Sequence, residues 1–181
     1  MYIENDVERV LLTERQIKER VDDIARRISE QYKGSYPLFI AVLKGSFVFC
    51  SDLLRALDIP VQADFMSVSS YGESSVSSGR VKIMKDSDAD VKGRDVVIVE
   101  DIIDTGNTLY ALKNLLLQRG ANSVKICALL DKVSRRTADI SADYAGFEIE
   151  DEFVVGYGLD YAERYRNLPY IGVLKRSVYE K

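Results

Sequence analysis

Residues 96–109 read VVIVEDIIDTGNTL, a run of β-branched residues followed by three carboxylates and a small, hydroxyl-rich turn. A continuous apolar run of this kind predicts a central strand of a parallel sheet, over residues 95–101. Leucines at helical spacing predict a helix over residues 107–119 that stops at Gly120, and residues 124–130 predict the next strand. A strand, a helix and a strand in this order form a right-handed βαβ unit. The predicted class is therefore α/β.

The turn at residues 105–108, Thr-Gly-Asn-Thr, is predicted to hold a phosphate, because a helix N-terminus exposes unpaired N–H groups. Glu100, Asp101 and Asp104 are expected just past the strand, where ligands bind in open α/β sheets. A carboxylate about 5 Å from a phosphate charge is repelled by about 3 kcal/mol at an effective dielectric constant of about 20. These acids are therefore expected to bind sugar hydroxyls or to face Mg²⁺, and a ribose phosphate offers both partners. The alternative is that Asp104 caps the helix and the other two acids are loop surface.

The rest of the chain continues the α/β pattern, with no internal repeat and no linker, so a single domain over residues 1–181 is expected. Thr13 is placed to cap the first helix. The serine-rich residues 67–79 are predicted to form the mobile tip of a long hairpin. The other predicted elements are helices over residues 14–32 and 46–57 and strands over residues 37–43, 61–69, 80–84, 153–156 and 170–174.

The composition excludes several kinds of chemistry. The chain has 25 Lys and Arg against 29 Asp and Glu, a net charge of −4, which disfavours nucleic acid as a partner. It has no histidine, so a Ser-His-Asp triad is impossible and any metal site should be rich in oxygen ligands and suit Mg²⁺. Cys50 and Cys127 lie in apolar runs, as expected for buried thiols in a reducing compartment. No signal peptide and no membrane-spanning stretch is found, so a cytoplasmic location without a membrane partner is expected.

Residues 97–109 resemble the phosphoribosyl-pyrophosphate (PRPP) motif of type I phosphoribosyltransferases. Leu43-Lys44-Gly45, Ser70-Tyr71 and residues 152–161 followed by Arg166 are similar, in the same order, to the hypoxanthine-guanine phosphoribosyltransferase family. The resemblance covers about residues 10–175. It implies the type I phosphoribosyltransferase fold, a central mostly parallel sheet flanked by helices. The core would span about residues 10–150, and a small hood would form from the N-terminal segment and residues 150–181.

The resemblance implies transfer of the 5-phosphoribosyl group from PRPP to hypoxanthine, and to guanine, with Mg²⁺ as cofactor. Asp104 would be the base that faces purine N7, and Glu100 and Asp101 would bind the ribose hydroxyls and Mg²⁺. The resemblance further implies that the 5'-phosphate is bound by Thr105, Gly106, Asn107 and Thr108, and pyrophosphate by Lys44, Gly45 and Arg166. The purine would be contacted by Lys132, Phe153 and Val154, with Asp160 beside the purine and on a second Mg²⁺. A lid would contain Ser70 and Tyr71.

Structural alternatives stay open for several of these residues. Lys44 would otherwise end a strand at the surface, although the resemblance implies a cis peptide there. Lys132 would otherwise be a solvated lysine, and Phe153 would be a core residue. The serine-rich hairpin tip would have no function. The resemblance also implies a homodimer or a homotetramer.

Two other functions compete with the first one. One is a regulator that keeps the PRPP-binding fold to sense nucleotides and binds RNA or DNA. The other is a transferase for adenine or for a pyrimidine, which predicts no lysine donor facing the exocyclic group of the base.

Overall fold

The order of strands in the main sheet is what positions the candidate site. In this computed structural model, residues 3–70 and 81–180 are described, with side chains over residues 5–69 and 82–180. Residues 67–70, predicted as the start of the hairpin tip, instead continue a strand, and the rest of the predicted tip, with Tyr71, lies outside the described residues. The helices and strands are α1 (Glu14–Gln31), α2 (Phe47–Ala56), α3 (Asn107–Gln118), α4 (Arg176–Tyr179), β1 (Val7–Leu12), β2 (Leu38–Leu43), β3 (Gln62–Ser70), β4 (Val81–Lys85), β5 (Asp95–Ile103), β6 (Ser123–Asp131), β7 (Tyr144–Glu148), β8 (Val154–Val155) and β9 (Ile171–Leu174).

The main sheet has the strand order β4-β3-β2-β5-β6-β7. Strands β2, β3, β5, β6 and β7 pair in parallel, and β4 pairs antiparallel with β3 as the return of the predicted hairpin. The predicted α/β fold with a mostly parallel sheet flanked by helices is confirmed. Strand β5 lies between β2 and β6, which agrees with its continuous apolar run.

Alternate residues of β5 are buried on opposite faces of the sheet. Val97 and Val99 belong to the core that contains α1 and α2, whereas Val96 and Ile98 belong to the core under α3. All four valine and isoleucine side chains are fully buried. A strand covered on both faces cannot alternate between polar and apolar residues, which explains the pattern in the sequence.

The predicted helices are confirmed to within one or two residues. Helix α1 begins with a capping box, in which the Thr13 hydroxyl accepts from the Gln16 N–H and the Gln16 side chain accepts from the Thr13 N–H. Helix α3 ends before Gly120, which has a φ of +89°. No helix in residues 3–70 and 81–180 is long and apolar enough to cross a membrane.

A second, smaller sheet joins the two ends of the chain. Its antiparallel order is β1-β9-β8, so residues near position 10 lie beside residues near position 172. The two predicted strands over residues 153–156 and 170–174 are present but shorter than expected. Strands β1 and β7 were not predicted, since VERVLL and YAGFE carry only a weak alternation of polar and apolar residues.

Candidate active site

Strand β5 is longer than its sequence predicts, which changes the setting of the first two acids. Its pairing with β6 continues through Glu100, Ile102 and Ile103, so Glu100 and Asp101 lie inside the strand. The predicted strand over residues 95–101 is confirmed and continues to Ile103, so Asp104 lies past its end, whereas the expectation that Glu100 and Asp101 also lie past it is wrong. The loop-surface alternative is also wrong for Asp101, which is 8% exposed.

The Glu100 and Asp101 carboxyl groups form an acidic pair, in which Asp101 is buried and Glu100 is half-buried. Burial is the main factor that raises the pKa of Glu100 well above its usual range, and the adjacent Asp101 charge adds to it. Burial likewise raises the pKa of Asp101, although hydrogen bonds and the Arg166 charge partly oppose it. Ionising two adjacent carboxyl groups away from water is unfavourable. A bound cation or sugar hydroxyls would therefore stabilise this site.

Gly45 lies directly against the Asp101 carboxylate. A Cβ on Gly45 would be 1.6 Å from Asp101 Oδ2, so no side chain fits there. Gly158 in turn lies against the other side of this loop, because its own Cβ would be 2.1 Å from the Gly45 carbonyl oxygen. The Leu43–Lys44 peptide bond is cis, as the resemblance implies. Three segments predicted to form one site are thereby brought into contact.

The turn before α3 has the shape of a phosphate site. Gly106 has a φ of +82°, and a Cβ there would be 2.7 Å from Ile140 Cγ2. The Thr105 carbonyl accepts hydrogen bonds from the Thr137 N–H at 3.0 Å and the Ala138 N–H at 3.1 Å. Asn107 begins the helix and is exposed, and its N–H makes only a long 3.5 Å contact with the Thr105 hydroxyl. Asn107 therefore leaves room for an anion at the helix N-terminus.

Asp104 does not cap α3, which contradicts the structural alternative for this residue. The N-cap is Gly106, which makes no side-chain cap hydrogen bond. The Asp104 carboxylate instead accepts a hydrogen bond from Arg135 Nε at 3.1 Å and is about half exposed. It is therefore available to a ligand above the turn.

Lys132 is not a solvated surface lysine. Its side chain is 12% exposed, and its Nζ lies 3.2 Å from Asp151 Oδ1. Its backbone N–H donates to the Ile103 carbonyl at 2.9 Å, which places Lys132 beside Asp104 at the carboxyl ends of two neighbouring strands. A carboxylate acceptor and an ammonium donor thus lie at neighbouring strand ends.

The loop after β8 carries a cluster of charges that reaches Lys44. Arg166 donates to Asp160 Oδ1 at 2.9 Å and to the Gly158 carbonyl at 2.8 Å. Glu163 accepts from Lys44 Nζ at 3.1 Å and from Arg166 at 3.4 Å, and these two cations lower the Glu163 pKa. The structure therefore brings Lys44, Asp160 and Arg166 together, through Glu163.

Phe153 is an exposed ring, not a core residue, since 37% of it is exposed. One face stacks on Tyr179 of α4, with ring centroids 4.9 Å apart, and Tyr161 meets it edge-on at 5.5 Å. Val154, the next residue, is buried and belongs to β8. The ring is therefore held by two tyrosines beside the candidate base site.

The acidic pair fits a magnesium ion. Within residues 3–70 and 81–180, no three carboxylate or thiol groups gather into a metal cluster, so Asp160 does not join Glu100 and Asp101. Mg²⁺ commonly binds through one or two carboxylates, with substrate phosphates and water as its other ligands. Two adjacent acids with raised pKa values match that donor set.

A family model described as "Phosphoribosyl transferase domain" matches residues 10–162. The hypoxanthine-guanine phosphoribosyltransferase of Bacillus subtilis (strain 168) is 56% identical over 178 residues, covering 98% of this chain and 99% of the relative. The chain belongs to the hypoxanthine-guanine phosphoribosyltransferase family.

Other members of this family are similarly close. The hypoxanthine-guanine phosphoribosyltransferase of Streptococcus agalactiae serotype V is 50% identical over 179 residues, 99% of each chain. The crystal structure of a hypoxanthine phosphoribosyltransferase from Staphylococcus aureus superposes with a TM-score of 0.96 at 47% identity, covering 99% of this chain and 97% of that one. The predicted type I phosphoribosyltransferase fold is confirmed.

Five further residues contact the predicted site residues and are not predicted from the sequence. Arg135, Arg136 and Thr137 follow Lys132, fold back over the turn and contact Asp104 or Thr105. Arg136 also forms a largely buried ion pair with Asp131. The only signal in the sequence was two adjacent arginines next to a strand end. The other two missed residues are Asp151 and Glu163, which look like ordinary surface acids.

Proposed function

We infer that this chain catalyses a step of purine salvage, the transfer of the 5-phosphoribosyl group from PRPP to hypoxanthine and guanine. The products are IMP or GMP and pyrophosphate. The observation that carries this inference is the contact among three of the four motifs, through Gly45, Asp101 and Gly158, in a chain 56% identical over its length to a named relative. The chain is then a pentosyltransferase.

The phosphate turn is proposed to bind the 5'-phosphate of PRPP. Its exposed Asn107 and its left-handed Gly106 give the backbone room to approach an anion, and the α3 dipole favours negative charge there. Thr105 and Thr108 add hydroxyl donors on either side. The side chains of Arg136 and Ile140 pack against the turn at Gly106.

Lys44, Gly45 and Arg166 are proposed to contact the pyrophosphate group. Both cations pair with Glu163, a side chain that is well exposed and weakly held. Pyrophosphate would take the place of Glu163 between them.

The acidic pair is proposed to bind the ribose hydroxyls and Mg²⁺, with Asp160 on a second ion. Bound Mg²⁺ would neutralise the charge that develops on the departing pyrophosphate. With Mg²⁺ bound, Glu100 and Asp101 would both remain ionised in the site. The Gly45 backbone packs directly against the Asp101 carboxylate.

The base is proposed to lie between Phe153 and the edge formed by Asp104 and Lys132. Lys132 would donate to the 6-oxo group, Val154 would contact the purine edge, and the free face of Phe153 would stack on the ring. The purine N9–C1 bond forms while the bond between C1 and the pyrophosphate oxygen breaks. Asp104 accepts the proton from N7, which keeps the purine neutral.

The test is product analysis with PRPP, Mg²⁺ and each of hypoxanthine, guanine, xanthine, adenine and uracil in turn. We expect IMP and GMP, with pyrophosphate released in equal amount. Nucleotide from adenine or uracil alone would overturn the assignment of the base. The alternative of a regulator is not supported by the relatives, and it would require tight, salt-sensitive RNA binding without nucleotide formation.

A cytoplasmic location and a homodimer or homotetramer are further proposals. Two free thiols, Cys50 and Cys127, are buried in the core, which suits a reducing compartment. Light scattering of the purified chain would give its mass in solution.

A further inference from the structure

Asp104 and Lys132, the acceptor and the donor proposed for the purine, occupy matching positions on neighbouring strands. The residues before them, Ile103 and Asp131, are register partners in the β5–β6 pair. Their backbones are fixed by this ladder and by the Lys132 N–H bond to Ile103. The ladder does not fix their side chains, because Asp104 and Lys132 follow the last residues of β5 and β6. Something else must hold the lysine chain, which has four rotatable bonds.

Asp151 supplies that contact from the segment between β7 and β8. Its Oδ1 lies 3.2 Å from Lys132 Nζ, and its Oδ2 lies 3.4 Å from Arg135 Nη1. Arg135 in turn places Nε 3.1 Å from Asp104 Oδ1. The Asp151 carboxylate thus contacts two cations, one through each oxygen. The second cation, Arg135, also contacts Asp104, the proposed general base.

We propose that Asp151 is a positioning residue for 6-oxopurine recognition, because it orients Lys132 toward the purine. This inference rests on the proposed function. The Lys132 side chain is nearly buried, and Asp151 is its ion-pair partner in the described part of the chain. A buried ammonium without that partner would turn toward another acceptor. Arg135, which also contacts Asp151, binds Asp104 directly through its Nε.

The pairing leaves Lys132 able to bind substrate. An ammonium has three donors, and Asp151 uses one, so a purine oxygen can take another without displacing it. Asp151 is half exposed and therefore supplies an orienting contact more than stability. The effect should accordingly appear in purine recognition and not in folding.

The experiment compares Asp151→Asn and Asp151→Glu with the wild-type chain in steady-state assays with Mg²⁺. Asp151→Asn should raise the KM for hypoxanthine about 10-fold, with kcat and the KM for PRPP changed by less than about twofold. Asp151→Glu, which keeps the charge, should restore most of the loss. Glu150→Gln is the matched control, since Glu150 is an exposed neighbour whose side chain makes no hydrogen bond or ion pair in the described part of the chain. It should behave as wild type.

A double mutant separates positioning from a general structural effect. In a Lys132→Ala chain, adding Asp151→Asn should change the KM for hypoxanthine by less than about twofold, because the oriented group is already gone. A full additional 10-fold loss, or equal rises in the KM for PRPP and for hypoxanthine, would overturn the inference. An unchanged KM in Asp151→Asn would do so too. If the wild-type chain formed no nucleotide, the proposed function itself would fail.

Discussion

The close contact between Gly45 and Asp101 means that adding one methyl group, in Gly45→Ala, tests the proposed role of Asp101. In Gly45→Ala the new Cβ would lie 1.6 Å from Asp101 Oδ2 and 2.6 Å from its Cγ, against an ordinary contact of at least 3.4 Å. Either the loop or the carboxylate must move by nearly 2 Å. The loop is blocked on its carbonyl side by Gly158, so we expect Asp101 to move.

The displacement should cost Asp101 its hydrogen bond from the Ile102 N–H, which is 2.8 Å long. A buried hydrogen bond to a charged group contributes about 1.5–3 kcal/mol, so the loss in affinity should be roughly 10- to 100-fold. Because Asp101 is proposed to serve both ribose and Mg²⁺, the KM for PRPP and the Mg²⁺ requirement should rise together. Purine affinity should change little.

The assay is IMP formation over a matrix of PRPP and Mg²⁺ concentrations. Gly34→Ala is the control, since Gly34 has a φ of +79° but no atom within 4 Å of a Cβ, so this change strains only the backbone. Gly34→Ala should lower the free energy of unfolding by about 1–2 kcal/mol and leave the KM for PRPP unchanged. A Gly45→Ala chain with the wild-type KM for PRPP would refute the reasoning.

Three further predictions follow from the acids and from the exposed ring. Asp104→Asn should lower kcat about 10²- to 10⁴-fold with the KM for PRPP nearly unchanged, and equal turnover would remove the general-base role. Phe153→Ala should weaken hypoxanthine binding about 10-fold in calorimetry, whereas loss of the folded state would make Phe153 a core residue. The raised pKa values of Glu100 and Asp101 mean that the folded chain binds protons more tightly than the unfolded chain. The free energy of unfolding should therefore fall as pH rises from about 4 through the raised values. Mg²⁺ should restore stability at pH 8 more than at pH 5 in urea titrations, and Glu100→Gln should weaken this dependence, while a flat profile in wild type would contradict it.

The sequence by itself determined the βαβ unit and its turn. The β-branched run of β5 and the leucine spacing of α3 are local patterns, and each specifies which faces of an element are buried. The turn residues between them follow directly, so the position of the turn was predictable. The same holds for the N-cap at Thr13, whose partner Gln16 is three residues away.

Only the tertiary structure decided which charges meet. The approach of Gly45 to Asp101 and the hold of Asp151 on Lys132 join segments that are far apart in the chain, and no periodicity encodes such distances. Strand β1 is a similar case, because it becomes a strand only by pairing with β9. Local patterns report burial, whereas an ion pair depends on where the whole backbone brings two side chains.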